Sequence, residues 1–169
     1  MGDTKGKDRC SNCGQPASRI RRNYLFRESG LSNAVLKDIQ VVTCDQCGNV
    51  DPIIPRLSEV ITVLASAIVR KPRPLTGEDV RFLRKQMAMN GETFASHLGV
   101  DKTTLSKWEN NQIPIGANSD RLIRALVLML GPDSKAEIEN GARNFTAIND
   151  DGEPVRIEID AKNLAFSYV

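Results

Sequence analysis

The sequence predicts an α+β chain of several small units: a four-cysteine ribbon on a β hairpin, a connecting helix, an all-α domain with a helix-turn-helix, and a small C-terminal β extension. Three observations carry this. The four cysteines form two Cys-x-x-Cys pairs with strand-like sequence between them. Residues 76–131 are dense in helix caps and in apolar residues at helical spacing. Residues 145–168 return to alternation, broken by turn residues. The units divide as 1–56, 57–74, 75–131 and 132–169.

In the first unit, Ile20, Tyr24 and Phe26 mark a strand over 19–27, and Val35, Ile39, Val41 and Val42 mark a second over 35–43. Ser29-Gly30-Leu31-Ser32-Asn33 is the turn between them. Pro52 and Pro55 then break the chain. Ser58, with Glu59 beside it, is placed to cap a helix running to about 69. Leu57, Ile61, Leu64 and Ile68 stripe that helix, and Val60 and Val63 widen the stripe, so it should bury against two partners. Lys71-Pro72-Arg73-Pro74 is a stiff linker.

Thr76 with Asp79 reads as a capping box for a first helix of the third unit, with Leu83 and Met87 on its core face and Asn90-Gly91 as its stop. A short helix over 92–98 is closed by Gly99. Asp101 caps another that runs to about 110. Pro114 and Gly116 interrupt, and a fourth helix covers 119–130. In the tail, a short helix over 134–141 and three strands, around 145–148, 155–159 and 164–168, are expected. Asn149-Asp150-Asp151-Gly152 turns between the first two strands.

Apolar residues make up 40% of the 169 and charged residues 26%, a globular balance. Aromatics are only 5%, so the cores are aliphatic and small, and small cores gain from a metal staple. Residues 1–75 hold 12 Lys/Arg against 7 Asp/Glu, whereas residues 132–169 hold 4 against 8. A basic body with an acidic tail suits a polyanionic partner. The charged N-terminus has no apolar core behind it, and the stretch 60–69 is too short to span a bilayer. A cytoplasmic chain with no membrane contact is expected, and there paired cysteines bind metal more often than they form disulfides.

Cys10, Cys13, Cys44 and Cys47 enclose a gap of 30 residues, longer than the ~15–20 of many zinc fingers. Two strands and a turn fill that gap and bring the pairs together. Four thiolates in tetrahedral geometry select zinc, so one structural zinc per chain is expected. Four protein ligands leave no open position for a catalytic water. A redox Cys-x-x-Cys would need a βαβ setting, which is absent. His97 lies far away on a helix and reads as a surface residue. No nucleophile, base and oxyanion site assemble, so no enzyme is expected.

In the third unit Ala95 lets two helices cross closely, Gly99 accepts the bend, Leu98 anchors the helix before it, and Val100 and Leu105 anchor the helix after it. That leaves Lys102, Thr103, Thr104, Ser106 and Lys107 on an outer face able to enter a major groove. Hydroxyls and ammonium groups there can reach base edges and phosphates. Arg81, Arg84, Lys85, Arg121 and Arg124 are candidates for flanking phosphates. The run Leu-Gly-Val-Asp-Lys-Thr-Thr-Leu-Ser-Lys-Trp-Glu-Asn-Asn over 98–111 resembles the Xre-type helix-turn-helix family, and the resemblance covers about 75–131. It implies that the helix after Asp101 reads DNA and that Trp108 and Glu109 close the domain. Gly91 stands where many family members carry a DNA-contacting Gln.

The order ribbon, helix, Xre-type domain resembles the MqsA antitoxin family, regulators with a YgiT-type zinc finger, over about 10–131. The resemblance implies a bacterial repressor, homodimeric on a palindromic double-stranded operator, with a structural zinc domain that can bind a small ribonuclease-like toxin. Family members read bases with an Asn and an Arg; the matching positions here are Thr103 and Lys107. Lys lacks the bidentate fork of Arg, so a different operator is expected. The acidic tail lies outside the resemblance. It leaves open a basic toxin partner, a longer dimer interface, or a role in the fold alone. A free-standing zinc-containing regulator without a toxin is the alternative reading.

Overall fold

The structure, a computed structural model, describes residues 8–130, 148 and 152–169. The short strand β1 (Asp8–Arg9) pairs with the start of β2 (Pro16–Leu25), which runs antiparallel to β3 (Ala34–Thr43) from Ser18↔Thr43 to Leu25↔Val35. A single 3-10 turn, Arg27–Ser29, reverses the chain and ends on Gly30 at φ 79. The hairpin is therefore as the sequence implies, with one irregularity. The register shifts between Arg22 and Tyr24, opposite Asp38, whose φ is 45. Alternation alone would send Leu36 and Ile39 to opposite faces. The extra residue restores the parity, and Leu36, Ile39 and Val41 all face the core. Asn23 accepts the Asp38 N–H at 3.0 Å, and Arg21 Nε donates to the Asp38 carboxylate at 3.0 Å.

The other edge of β3 is shared by strands from two distant parts of the chain. β4 (Val50–Ile53) lies antiparallel along Gln40–Thr43. β5 (Ile157–Asp160) lies parallel along Ala34–Lys37, and β6 (Ala165–Tyr168) folds back on β5. The tail strands expected over 155–159 and 164–168 thus exist, but they extend the ribbon's sheet. Two four-residue strands are marginal by themselves; on β3 they bury Ile157 and Ile159 completely. Lys37 and Glu158 pair across the junction at 3.1 Å. The helix expected over 134–141, and the strand over 145–148 apart from Ile148, lie outside the described residues; Ile148 itself is in no strand.

α1 (Leu57–Arg70) starts one residue before the expected cap. Arg56, at φ 50, precedes it without a side-chain cap, and Ser58 is its second residue. The Arg56 guanidinium instead donates to the carbonyls of Ala161 and Lys162, tying the helix start to the β5–β6 turn. The buried face is Val60, Leu64, Ala67 and Ile68, flanked by Ala65 and Val69. Leu57, expected on the stripe, is 49% exposed because it sits at the helix mouth. As its double-sided apolar pattern implied, α1 packs between β5 and β6 on one side and α2 and α5 on the other.

The helices that follow are α2 (Gly77–Gln86), α3 (Gly91–His97), α4 (Lys102–Glu109) and α5 (Ala117–Leu130). The Thr76–Asp79 capping box is present in both directions. Asn90 does not end α2; it caps α3, accepting from the Thr93 N–H at 2.9 Å. The stretch 71–74 is pinned. Lys71 pairs with Asp79, both buried. Arg124, 1% exposed, donates to the carbonyls of Val69 at 2.7 Å, Lys71 at 2.8 Å and Arg73 at 2.6 Å while its Nε meets Asp120 at 2.6 Å. The Asp120 carboxylate also accepts the Leu75 N–H at 2.6 Å. Backbone carbonyls orphaned at the end of α1 are satisfied by a side chain from α5. Apolar residues of the sheet, α1 and the four later helices form one continuous core. Among the described residues no helix is long and apolar enough to cross a membrane.

Candidate metal centre and nucleic-acid interface

The two Cys-x-x-Cys pairs fold as two equivalent knuckles. In the first, Cys10 N–H donates to Gln15 and Gly14 N–H to Cys10, both at 2.9 Å; in the second, Cys44 N–H donates to Asn49 at 3.0 Å and Gly48 N–H to Cys44 at 2.9 Å. Each turn closes through a glycine at positive φ, 71 at Gly14 and 70 at Gly48. That conformation costs a side-chain-bearing residue. β2 and β3 carry the knuckles to the same end of the sheet. Asn49 donates to Ser11 at 3.1 Å and Ser11 to Asp51 at 2.7 Å, joining one knuckle to the other.

The four sulfurs all lie within 4.8 Å of one another. Across the knuckles Cys10 stands 3.5 Å from Cys47 and Cys13 3.6 Å from Cys44. Four thiolates at ~2.3 Å from a central ion would be spaced about 3.8 Å apart, so the cluster has the size a metal requires. Cys10 and Cys44 are buried, and Cys13 and Cys47 face solvent. The Cys10 thiol is held down to about 6, first by the Cys13 N–H. Cys13 accepts the Gln15 N–H, yet its crowded sulfur neighbours, Cys47 foremost, push it up to about 12. Metal binding takes thiols in their thiolate form, and a divalent cation at the centre of the cluster would balance their charge. His97 takes no part: it is exposed on α3, with its Nδ1 2.8 Å from the Thr93 carbonyl.

α3 and α4 cross through buried Phe94, Ala95, Leu98 and Leu105, with Val100 half-buried and Gly99 at φ 65 in the turn. Asp101 caps α4 as read, accepting the Thr104 N–H at 2.8 Å. The Thr104 hydroxyl also donates to Asp101, at 2.6 Å. That hydroxyl, with the Thr104 N–H, holds the Asp101 carboxyl below its ordinary range. Of the five residues expected on the reading face, Lys102, Thr103, Ser106 and Lys107 are exposed, and Thr104 is half-buried with its hydroxyl committed to the cap.

The far end of α4 is fastened to α2. Arg84 meets Glu109 with both arms of its fork, at 2.6 and 2.9 Å. Arg81 donates to the Glu109 carbonyl at 2.9 Å and to Asn110 at 2.7 Å. Asn111 accepts the Gly77 N–H at 2.9 Å, and Trp108 is buried beneath. Three of the candidate phosphate contacts are thereby reassigned: Arg81 and Arg84 position α4, and Arg124 is buried under α1. Lys85 and Arg121 remain exposed. Glu109, expected from the resemblance to close the domain, does so through Arg84, a partner 25 residues away that no local signal pairs with it. Comparison of the chain with protein-family models, with curated proteins and with solved structures gives no match in any of the three.

Proposed function

We propose that this chain is a sequence-specific DNA-binding repressor. In this reading α4 enters the major groove, and the four thiolates hold one structural zinc. The carrying observation is the outer side of α4. Lys102, Thr103, Ser106 and Lys107 stand exposed, and among the described residues neither lysine has an ion-pair partner. Asp101, Thr104, Glu109, Asn110 and Asn111 are engaged in caps and in bonds that hold the helix in place. A rigid helix with a donor-rich free face is what base-edge readout needs. Four sulfur ligands favour zinc over the harder cations and leave it closed to substrate. The likeness in unit order to MqsA-type antitoxins extends the reading: the chain represses its own operon and neutralises a small ribonuclease-like toxin. A second reading, a free-standing regulator with no toxin, is favoured by β5 and β6. They lie outside that likeness and occupy the edge of β3 that a partner strand would otherwise use.

The test is operator affinity on the DNA upstream of the chain's own gene. Thr103→Ala and Lys107→Ala should each lose about 1–3 kcal/mol per base contact, roughly a 5- to 150-fold rise in Kd. Both variants should keep the wild-type helical signal, since neither side chain is buried. Unchanged affinity in both would take α4 out of the reader's role. Co-purification of a small basic ribonuclease-like protein from the native host separates the antitoxin from the free-standing regulator.

A further inference from the structure

A cavity of about 380 Å³ lies between the end of α4, the start of α5 and the residues that lead into α2. That is the size of a small-ligand site. Leu75, Ile113, Pro114 and Ile115 give it apolar walls. The polar groups on those walls divide by sign. The acceptor side chains already have donors. The Asp120 carboxylate meets Arg124 Nε and the Leu75 N–H, each at 2.6 Å. The Thr76 hydroxyl accepts the Asp79 N–H at 3.2 Å, and the Asn111 side-chain oxygen accepts the Gly77 N–H at 2.9 Å. The donors are open. Trp108 is 5% exposed, and its indole N–H has no hydrogen-bond partner among the described residues, although a buried indole N–H usually finds one. The Asn111 side-chain amide donates to none of the described residues, and exposed Arg121 has neither a hydrogen bond nor an ion pair among them.

We propose that this cavity binds a small organic acid with an apolar body, and that its occupant regulates DNA binding. The carboxylate takes the open donors, Arg121 foremost, and the body lies on Ile113, Pro114 and Ile115. A cation would meet Arg121 and find no free carboxylate. A neutral apolar molecule would leave the Trp108 donor unmatched. A bare inorganic anion would leave the apolar walls wet. The effect on DNA rests on the repressor reading; the binding itself does not. A carboxylate on Arg121 cancels a charge otherwise open to a flanking phosphate. The occupant also touches Trp108 and Asn111, and Asn111 holds the end of α4 to the start of α2. Operator affinity should therefore fall when the cavity is filled, and DNA should weaken the acid's binding by the same factor.

Trp108 is the only tryptophan of the chain, so its emission reports on this site. Titration of the full, metal-loaded chain with hydrocinnamate should change that emission saturably below about 10 mM, a range suited to a ligand of few atoms. Hydrocinnamyl alcohol, which has the same skeleton without the charge, should bind roughly tenfold more weakly. Inorganic phosphate should not compete. Arg121→Gln should raise the Kd of the acid roughly tenfold and leave that of the alcohol unchanged, a split that a loss of fold would not produce. Ile113→Asp, which sets a carboxylate in the apolar wall, should abolish binding of both. Both positions are exposed, so the helical circular dichroism should be kept. No saturable change in the wild type, or equal binding of acid and alcohol, would overturn the site. An acid that binds and leaves operator affinity unchanged would overturn its regulatory role. An acid bound by a chain that binds no duplex would leave the site standing and sink the repressor reading.

Discussion

Gly77 shows how a single residue can oppose its local propensity. It opens α2, where alanine would ordinarily favour the helix by up to ~1 kcal/mol. A Cβ there would sit 2.2 Å from the Trp108 carbonyl oxygen and 2.8 Å from the Asn111 side-chain oxygen. Neither can retreat freely, since one is backbone at the end of α4 and the other holds the Gly77 N–H. Gly77→Ala should therefore destabilise the protein by about 1–3 kcal/mol in chemical denaturation; a gain in stability would refute the close approach of α2 and α4. Asp38 makes the complementary case on the sheet. Its left-handed φ of 45 suits Asp or Asn better than most residues. Hydrogen bonds from Arg21 first, and from Lys162, hold its carboxyl down to about 2. Because the folded value lies below the ordinary value of about 4, the stabilisation is complete above about pH 4 and is lost as pH falls towards about 2. Asp38→Asn keeps the bulge conformation and removes the titration. Its stability should fall less steeply than the wild type's between about pH 4 and about 2; parallel denaturation curves across that window would show that the bulge pairs contribute nothing.

At the scale of elements, the sequence was legible wherever the signal is local. Thr76 and Asp101 cap the helices they were read to cap, and the two cysteine knuckles follow from spacing and their glycines. It was ambiguous where one residue type serves two ends. Asn90-Gly91 has the composition of a helix stop, but the Asn90 side chain accepts the Thr93 N–H and so starts α3. Ser58 was assigned a cap on the same local logic, whereas the chain enters α1 through Arg56, whose guanidinium is drawn to the β5–β6 turn. Thr104 belongs on the outer face by helical position, yet its hydroxyl is captured by the cap one turn back. What could not be read is pairing at a distance. Alternation at Ile157 and Ile159 announces a strand and its buried face but not its partner, and β5 finds β3 more than a hundred residues away. Arg84 and Arg124 look like any surface cations until Glu109 and the carbonyls at the end of α1 are brought beside them.

For the whole molecule, the question is how far the thiol cluster's influence reaches. The two ends of the sheet are held by different neighbours, β4 at the thiol cluster and β5 at the far end. At the cluster end, residues 18–23 of β2 are all exposed, and beyond their pairing with β3 they are held by the knuckles and by Arg19, whose fork meets Asp8 of β1 at 2.8 and 3.1 Å. At the other end, Ala34–Lys37 is hydrogen-bonded on both edges, by β2 and β5, and Ala34 and Leu36 are fully buried. β5 and β6 rest on α1, with Tyr168 donating to the Ala67 carbonyl at 2.7 Å, and Arg124 fastens the end of α1 to α5. Metal removal should therefore act locally. With a chelator and a reductant, or in Cys44→Ser, amide hydrogen exchange should lose protection at Cys10, Gly14, Cys44 and Gly48 and through β1 and β4. Protection should persist at Leu36, Ile157 and Ile159 and in α2, α3, α4 and α5, because those amides open only when the central core does. DNA affinity should then survive demetallation within a few-fold, since no residue of the α4 face depends on the knuckles. Simultaneous loss of protection in the knuckles and in α4 would mean that the sheet and helices unfold as one unit, and that the ion supports the DNA-reading face as well as the ribbon.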